Sequence, residues 1–268
     1  MSIPAIKATR LTGPGAPVLI AGPSLGTTAL PLWNRAAAAL DTFTVIGWDL
    51  PGHGASPAAG DGFSIDDLAA AVADLVRGAR RSGDIAAGVP VFYAGVSLGG
   101  AVGLQLGLDH GDLFDGLAVM CSGAKIGDAE GWEERADTVR AQGTPTQITG
   151  SAQRWFAPGF MEREPAAAAA LLHSLQDADR FSYAYCCSAL ANFDVRERLP
   201  DITVPVLAVA GAEDAVTPPS FADLIADRVT NGTAAVVNEA AHLVPAEQPA
   251  QTAQLLKDFF GAQYLEGI

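Results

Sequence analysis

The run Val89-Pro90-Val91-Phe92-Tyr93-Ala94-Gly95-Val96-Ser97-Leu98-Gly99-Gly100-Ala101 carries the clearest structural signal in the chain. Val89 to Val96 is a short apolar stretch suited to a strand buried on both faces, and it ends abruptly in small residues before a helix-like segment, Val102 to Leu108. A turn this tight between strand and helix forces strained dihedrals on its apex, so the flanking residues must be small; Gly95 and Gly99 meet that requirement. The apex is Ser97, in the pattern G-x-S-x-G. Such a turn lifts the serine hydroxyl to the carboxyl edge of the sheet, where open α/β sheets bind ligands.

The same alternation repeats on either side of this run. Pro17 to Ala21 reads as a buried strand that ends in the loop Gly22-Pro23-Ser24-Leu25-Gly26. A helix from about Leu32 to Leu40 leads to a second strand, Thr42 to Trp48, closed by Asp49-Leu50-Pro51-Gly52-His53-Gly54. Ser64 to Arg80 opens with Ser-Ile-Asp-Asp, a cap followed by acids in the first turn, and continues with helical spacing. Leu113 to Cys121 is a further strand. Strands alternating with helices predict an α/β fold, a mostly parallel twisted sheet flanked by helices.

From Ser122 to about Asn192 the strand signal vanishes. Helix-like pieces follow one another near Asp128 to Gln142, Ser151 to Phe156, Pro165 to Asp177 and Phe181 to Asn192. Alternation resumes with a strand at Val204 to Ala210, a helix near Pro219 to Val229, a strand at Ala234 to Asn238 and a terminal helix from about Pro249 to Phe260. The expected organisation is a core of residues 1–121 and 195–268, split around a helical lid of residues 122–194.

A serine hydroxyl needs a base to remove its proton during attack. Of the histidines His53, His110, His173 and His242, His242 has the fitting position, in the loop that follows the strand near the C-terminus. His53 reads as a turn stabiliser, and His110 and His173 as surface or packing residues. The orienting acid should follow a strand between serine and histidine; Gly211-Ala212-Glu213-Asp214 does so, and Asp214 is preferred over Glu213 because Ala215-Val216-Thr217-Pro218 can turn it inward. The order Ser97, Asp214, His242 is that of the α/β-hydrolase fold. A tetrahedral intermediate also needs N–H donors aimed at its oxyanion. Leu98 supplies one, and Ser24 or Leu25 the second, with Ser24 the choice; Pro23 has no N–H to give.

Composition narrows the partners. The formal charge of −14, from 30 acidic and 16 basic residues, repels phosphate backbones and anionic membrane surfaces, so neither nucleic acid nor a membrane is expected. An anionic small molecule stays open, because a few cations inside a pocket outweigh a screened distant surface. Cys121, Cys186 and Cys187 lack metal-ligand spacing and read as buried free thiols. No residue set calls for a metal or an organic cofactor. Met1 to Arg10 has no apolar core of signal-peptide length, which makes the cytoplasm the expected location.

With these residues in place, the sequence resembles the 3-oxoadipate enol-lactonases, α/β-hydrolases of the β-ketoadipate route of aromatic degradation. Shared features of a general kind are Ser24-Leu25-Gly26-Thr27-Thr28, Gly52-His53-Gly54-Ala55-Ser56-Pro57 and the Ser97 turn. More specific are Gly123-Ala124-Lys125-Ile126-Gly127 through Trp132 to Thr138-Val139-Arg140-Ala141-Gln142-Gly143, and Tyr185-Cys186-Cys187 leading to Asp214-Ala215-Val216-Thr217-Pro218-Pro219. The chain departs from the family pattern at Pro51, where an arginine precedes Gly-His-Gly, and in a shortened N-terminal hairpin. The resemblance implies a serine hydrolase that opens an enol-lactone ring through an acyl-enzyme. The substrate's free carboxylate then needs a cation in the lid. Arg140 and Lys125 are the candidates, ahead of Arg135, Arg154 and Arg180, while Leu25, Trp132 and Trp155 are expected to line the pocket. A general carboxylesterase or carbon–carbon bond hydrolase with the same three residues is the alternative reading, and a ligand receptor that has lost turnover is one of another class.

Overall fold

The structure is a computed structural model and describes residues 3–13 and 15–266. Seven strands form one sheet: β1 (Lys7–Arg10), β2 (Val18–Gly22), β3 (Thr44–Asp49), β4 (Val91–Val96), β5 (Gly116–Met120), β6 (Val206–Gly211) and β7 (Gly232–Val237). Their spatial order is β1-β3-β2-β4-β5-β6-β7. Every pairing is parallel except β1 with β3, where Lys7 stands opposite Asp49 in antiparallel register. The four central strands β2, β4, β5 and β6 are buried along their whole length, which is why they read as unbroken apolar runs rather than alternating ones. Short, exposed β1 gives no apolar signal in the sequence.

Helices α1 (Ala29–Ala39), α2 (Ile65–Ser82) and α3 (Leu98–Asp109) fall between the first five strands. Helix α2 shows why its sequence marked it so clearly. Ser64 Oγ accepts from Asp67 N at 3.1 Å while Asp67 Oδ2 accepts from Ser64 N at 2.9 Å, a reciprocal cap. Arg80 and Arg81 occupy its last turn, and Gly83 ends it in the left-handed region. Helix α3 begins four residues earlier than its sequence suggests, because the glycines that look like a loop are the first turn of the helix.

Between β5 and β6 the chain makes α4 (Ala129–Gln142), α5 (Ile148–Trp155), the single turn α6 (Phe160–Arg163), α7 (Pro165–Asp177) and α8 (Arg180–Ala191), with no strand among them. These five helices sit over the sheet's carboxyl edge. Asp179 N donates to Gly52 O at 2.8 Å and Arg35 pairs with Glu164 at 3.0 Å, so the insertion is tied to the core both at the loop after β3 and at helix α1. The fold closes with α9 (Pro219–Arg228), the short α10 (Val244–Glu247) and α11 (Pro249–Glu266). The protein is thus an α/β-hydrolase-type sheet flanked by helices and carrying a helical insertion. Among the described residues no helix is long and apolar enough to cross a membrane.

Candidate active site

Ser97 occupies the turn between β4 and α3 with φ 56° and ψ −114°, a region that side-chain-bearing residues rarely adopt. Its neighbours explain how the turn is held. A Cβ on Gly95 would stand 2.1 Å from Gly99 O, and one on Gly99 would stand 2.5 Å from Pro23 O, so neither position accepts a side chain. Backbone bonds complete the clamp: Ser97 N donates to Met120 O at 2.9 Å, Ser122 Oγ to Ser97 O at 2.7 Å, and Gly99 N to Pro23 O at 3.0 Å. The loops after β2, β4 and β5 therefore brace the strain together.

Asp214 follows β6 and is buried, while Glu213 beside it is exposed. Its Oδ1 accepts the backbone N–H groups of Val216 and Thr217, at 2.8 and 3.1 Å. Its Oδ2 accepts Thr217 Oγ1 at 2.8 Å and pairs with His242 Nδ1 at 2.7 Å. Burial pushes this carboxyl upward, but the His242 bond and charge, with the Thr217 bonds, outweigh it and hold the group below its ordinary value. The contact commits Nδ1 of the imidazole to Asp214, leaving Nε2 as the nitrogen free to face a substrate or hydroxyl. Ser97 and His242 line the same cavity.

That cavity is small, about 30 Å³, room for about one water molecule. Ser24 and Leu25 line it from the loop after β2, and Trp132, Arg135, Arg154, Trp155 and Tyr183 from the insertion. Trp132, Arg135 and Arg154 also border an adjoining, more open space of about 210 Å³. The two arginines are half-buried and, among the described residues, neither has a carboxylate within 4 Å. The Arg135 guanidinium lies 4.6 Å from the centre of the Trp132 ring. Burial, then the charge of Arg135, pulls Arg154 below its ordinary value. In a chain of net charge −14, two such cations facing one cavity make a local field opposite to that of the surface.

Several expected site residues lie elsewhere. Lys125 pairs with Asp194 at 3.6 Å, and Arg140 bonds Asp137 at 2.9 Å and Ser188 Oγ at 3.1 Å. Neither borders the cavity, so the cations facing it are Arg135 and Arg154 instead. Trp132 and Arg135 are three positions apart, which sets both on one face of α4, and that spacing is the signal the sequence holds.

Ser24 is also corrected. Its N–H donates to Thr27 Oγ1 at 3.0 Å, and its carbonyl accepts the Thr27 amide at 3.0 Å. A donor spent on closing its own turn has nothing left for an oxyanion. No acceptor stands opposite the Leu25 amide among the described residues, and the Leu98 amide opens α3, where backbone donors have no partner in the helix. Leu25, Trp132 and Trp155 do line the cavity.

His53 is fully buried, its Nδ1 2.9 Å from Pro51 O and its ring stacked on Tyr183 behind the cavity wall. Burial holds its ring below the ordinary histidine range, although the Pro51 carbonyl and the Asp49 and Asp179 carboxylates pull the other way. His173 is exposed and His110 half-buried. All three cysteines are buried and unpaired.

This geometry accompanies similarity to characterised proteins. The profile of a family described as serine aminopeptidase, S33, matches residues 34–249. The chain is 37% identical over 235 residues to 3-oxoadipate enol-lactonase 2 of Acinetobacter baylyi, covering 87% of this chain and 84% of that protein. It is 31% identical over 252 residues to 3-oxoadipate enol-lactonase 1 of the same organism, covering 93% and 91%. Among solved structures, the enol-lactonase from Burkholderia xenovorans LB400 superposes with a TM-score of 0.85 at 29% identity, covering 96% of both chains.

Proposed function

The chain belongs to the α/β-hydrolase family that includes the 3-oxoadipate enol-lactonases, and from that premise we propose that it opens the ring of an anionic enol-lactone, 3-oxoadipate enol-lactone being the expected substrate, in aromatic catabolism. The observation that carries this reading is a cavity that joins Ser97, on a strained turn, His242, paired with Asp214 behind it, and two guanidinium groups that have no carboxylate partner among the described residues.

Ser97 Oγ attacks the ring carbonyl while His242 Nε2 takes its proton, and Asp214 stabilises the imidazolium that forms. Negative charge gathers on the former carbonyl oxygen, and the amides of Leu98 and Leu25 receive it. The ring C–O bond then breaks and the imidazolium returns its proton to the leaving oxygen. That oxygen departs as an enol, which relaxes to a ketone and draws the reaction forward. A water deprotonated by His242 attacks the acyl-enzyme, the ester C–O bond breaks as the imidazolium returns that proton to Ser97 Oγ, and the second carboxylate is freed.

Arg135 and Arg154, which line the same cavity as the nucleophile, hold the carboxylate of the substrate's side arm. The helical insertion, residues 122–194, acts as the lid. A space fit for one water does not admit a lactone, so the lid opens for entry, and the adjoining space beside Trp132 marks the route. Three free buried thiols favour a reducing compartment, in keeping with a cytoplasmic enzyme.

Two assays test the reading. Ring opening of 3-oxoadipate enol-lactone is expected from the parent protein and lost in Ser97→Ala. Turnover of neutral esters alone would make the protein a general carboxylesterase. A parent that neither turns over lactones or esters nor reacts with a fluorophosphonate would be a binding protein.

A further inference from the structure

Glu247 is a buried carboxylate that the reaction does not use, and its bonds are unusual in where they go. It stands at the end of α10 with 6% of its surface exposed. Oε1 accepts the N–H groups of Ala241 and Leu243, at 2.9 and 3.2 Å, the two residues on either side of His242. Oε2 accepts the N–H of Ala157 at 2.6 Å, and Ala157 belongs to the insertion, two residues beyond the cavity-lining Trp155. A second bond runs the same way: His242 N donates to Trp155 O at 3.2 Å.

The opposite side of the histidine loop faces the core. Glu213 N donates to Ala240 O at 3.0 Å, and Cys121 Sγ lies 3.5 Å from Ala241 O. The loop's carbonyls thus rest on strand ends that packing holds rigid, whereas its amides rest on one carboxylate and one stretch of the insertion. Burial raises the Glu247 carboxyl above its ordinary value, against the pull of the Ala157, Ala241 and Leu243 amides. Those three donors are what a carboxylate in this place is suited to receive.

We propose that Glu247 is a positioning residue that makes the alignment of His242 conditional on the insertion being seated. With the 155–157 segment in place, both carboxylate oxygens are fixed and the three amides around His242 are held. With that segment lifted away, Oε2 loses its donor and His242 loses its own amide bond. The nucleophile's base is then aligned only when the insertion closes, so closure and the chemical step are linked through one side chain. The proposal rests on Ser97 and His242 acting as nucleophile and base.

The test is the rate at which a fluorophosphonate inactivates the protein, resolved into a maximal rate and a half-saturating concentration. In Glu247→Gln, an NH2 group faces an N–H donor on one side or the other. The maximal rate is expected to fall about 100-fold, the usual scale for misplacing a catalytic group by about 1 Å, with the half-saturating concentration within about twofold. Ala157→Pro removes only the donor on the insertion. Phe156 is already extended, with φ −115° and ψ 134°, the conformation a proline requires of the residue before it. Its maximal rate is expected to fall about tenfold, in line with the loss of one charge-assisted hydrogen bond.

Parent-like maximal rates in both variants would overturn the proposal. So would a loss in Glu247→Gln with none in Ala157→Pro, since the histidine would then be held without reference to the insertion. If Glu247→Gln does not fold, Ala157→Pro alone decides. A parent protein that the probe leaves unlabelled would sink the serine-hydrolase reading along with this one, whereas a labelled parent with unaffected variants sinks this one alone.

Discussion

Ser97 and Asp214 leave the ends of β4 and β6, strands buried along their whole length, whereas Arg135 and Arg154 stand on α4 and α5, helices with exposed faces. The first pair is held by backbone: Ser97 N on Met120 O, and Asp214 on the amides of Val216 and Thr217. Among the described residues the second pair has no carboxylate partner, and the position of each guanidinium depends on its helix and on stacking such as that of Arg135 against Trp132. A group fixed by backbone keeps its geometry whatever occupies the cavity. A side chain without a partner waits for one. Under the proposed reaction, the core acts on the bond that breaks and the insertion chooses the molecule that carries it.

The sharpest way to break that division is to remove each side in turn. Ser97→Ala is expected to lower turnover by about 10⁶-fold on every substrate, charged or neutral, with thermal unfolding little changed. A residual rate within a few-fold of the parent would place the nucleophile elsewhere. Asp214→Asn comes next, at about 10⁴-fold, because the amide cannot hold the imidazole in the tautomer that presents a basic Nε2. Both losses should fall on kcat and be alike for an anionic lactone and a neutral ester. A loss confined to the lactone would mean that the core also selects.

Arg135→Ala and Arg154→Ala should behave in the opposite manner. Each removes a charge-assisted contact to the substrate arm, a loss of about 10- to 100-fold in kcat/KM on an anionic lactone. A neutral ester of similar size should be affected by less than about threefold. Arg140→Ala serves as the control on the same helix and should leave both substrates near the parent rate, since Arg140 is engaged with Asp137 and Ser188 away from the cavity. Equal losses on the two substrates in the Arg135 and Arg154 variants would show that these arginines support the fold rather than choose the ligand.

The contrast between the two regions also explains what could be read from residues alone. In the core, function is written in local sequence: a strand that ends in Gly95-Val96-Ser97-Leu98-Gly99 has few ways to turn, and the clashes a Cβ would meet at Gly95 and Gly99 are the physical content of the motif. Asp214 and His242 follow strands, so the parallel sheet brings them to one edge. Helices of the insertion carry no such constraint. Arg135 and Arg140 are five residues apart on α4, a rotation of about 140°, and which of them meets the cavity depends on how α4 packs against α8. Ser24 failed for a different reason. Its amide and that of Leu25 are adjacent and equally plausible as donors, and only the Thr27 hydroxyl, which closes back on Ser24, separates them. Short elements such as β1, α6 and α10 were missed because four residues hold too little pattern to recognise.

The smallest expected effect concerns two buried carboxylates that respond to acid in opposite directions. Asp214, in the core, lies below its ordinary 3.8 when folded, so the folded state binds fewer protons than the unfolded chain. Its contribution to stability is complete above that value and is lost as pH falls through the lowered one. Glu247, at the junction with the insertion, lies above its ordinary 4.5. Its contribution is complete below that value and is lost as pH rises through the raised one. Urea unfolding in steps from about pH 3 to about pH 8 separates them. The stability gap between parent and Asp214→Asn should narrow toward acid, because the parent loses there what the variant never had. The gap between parent and Glu247→Gln should narrow toward neutrality for the mirror-image reason. Two curves that both run parallel to the parent would mean that neither carboxyl is displaced by its surroundings, and the electrostatic distinction between the core site and its junction with the insertion would have to be abandoned.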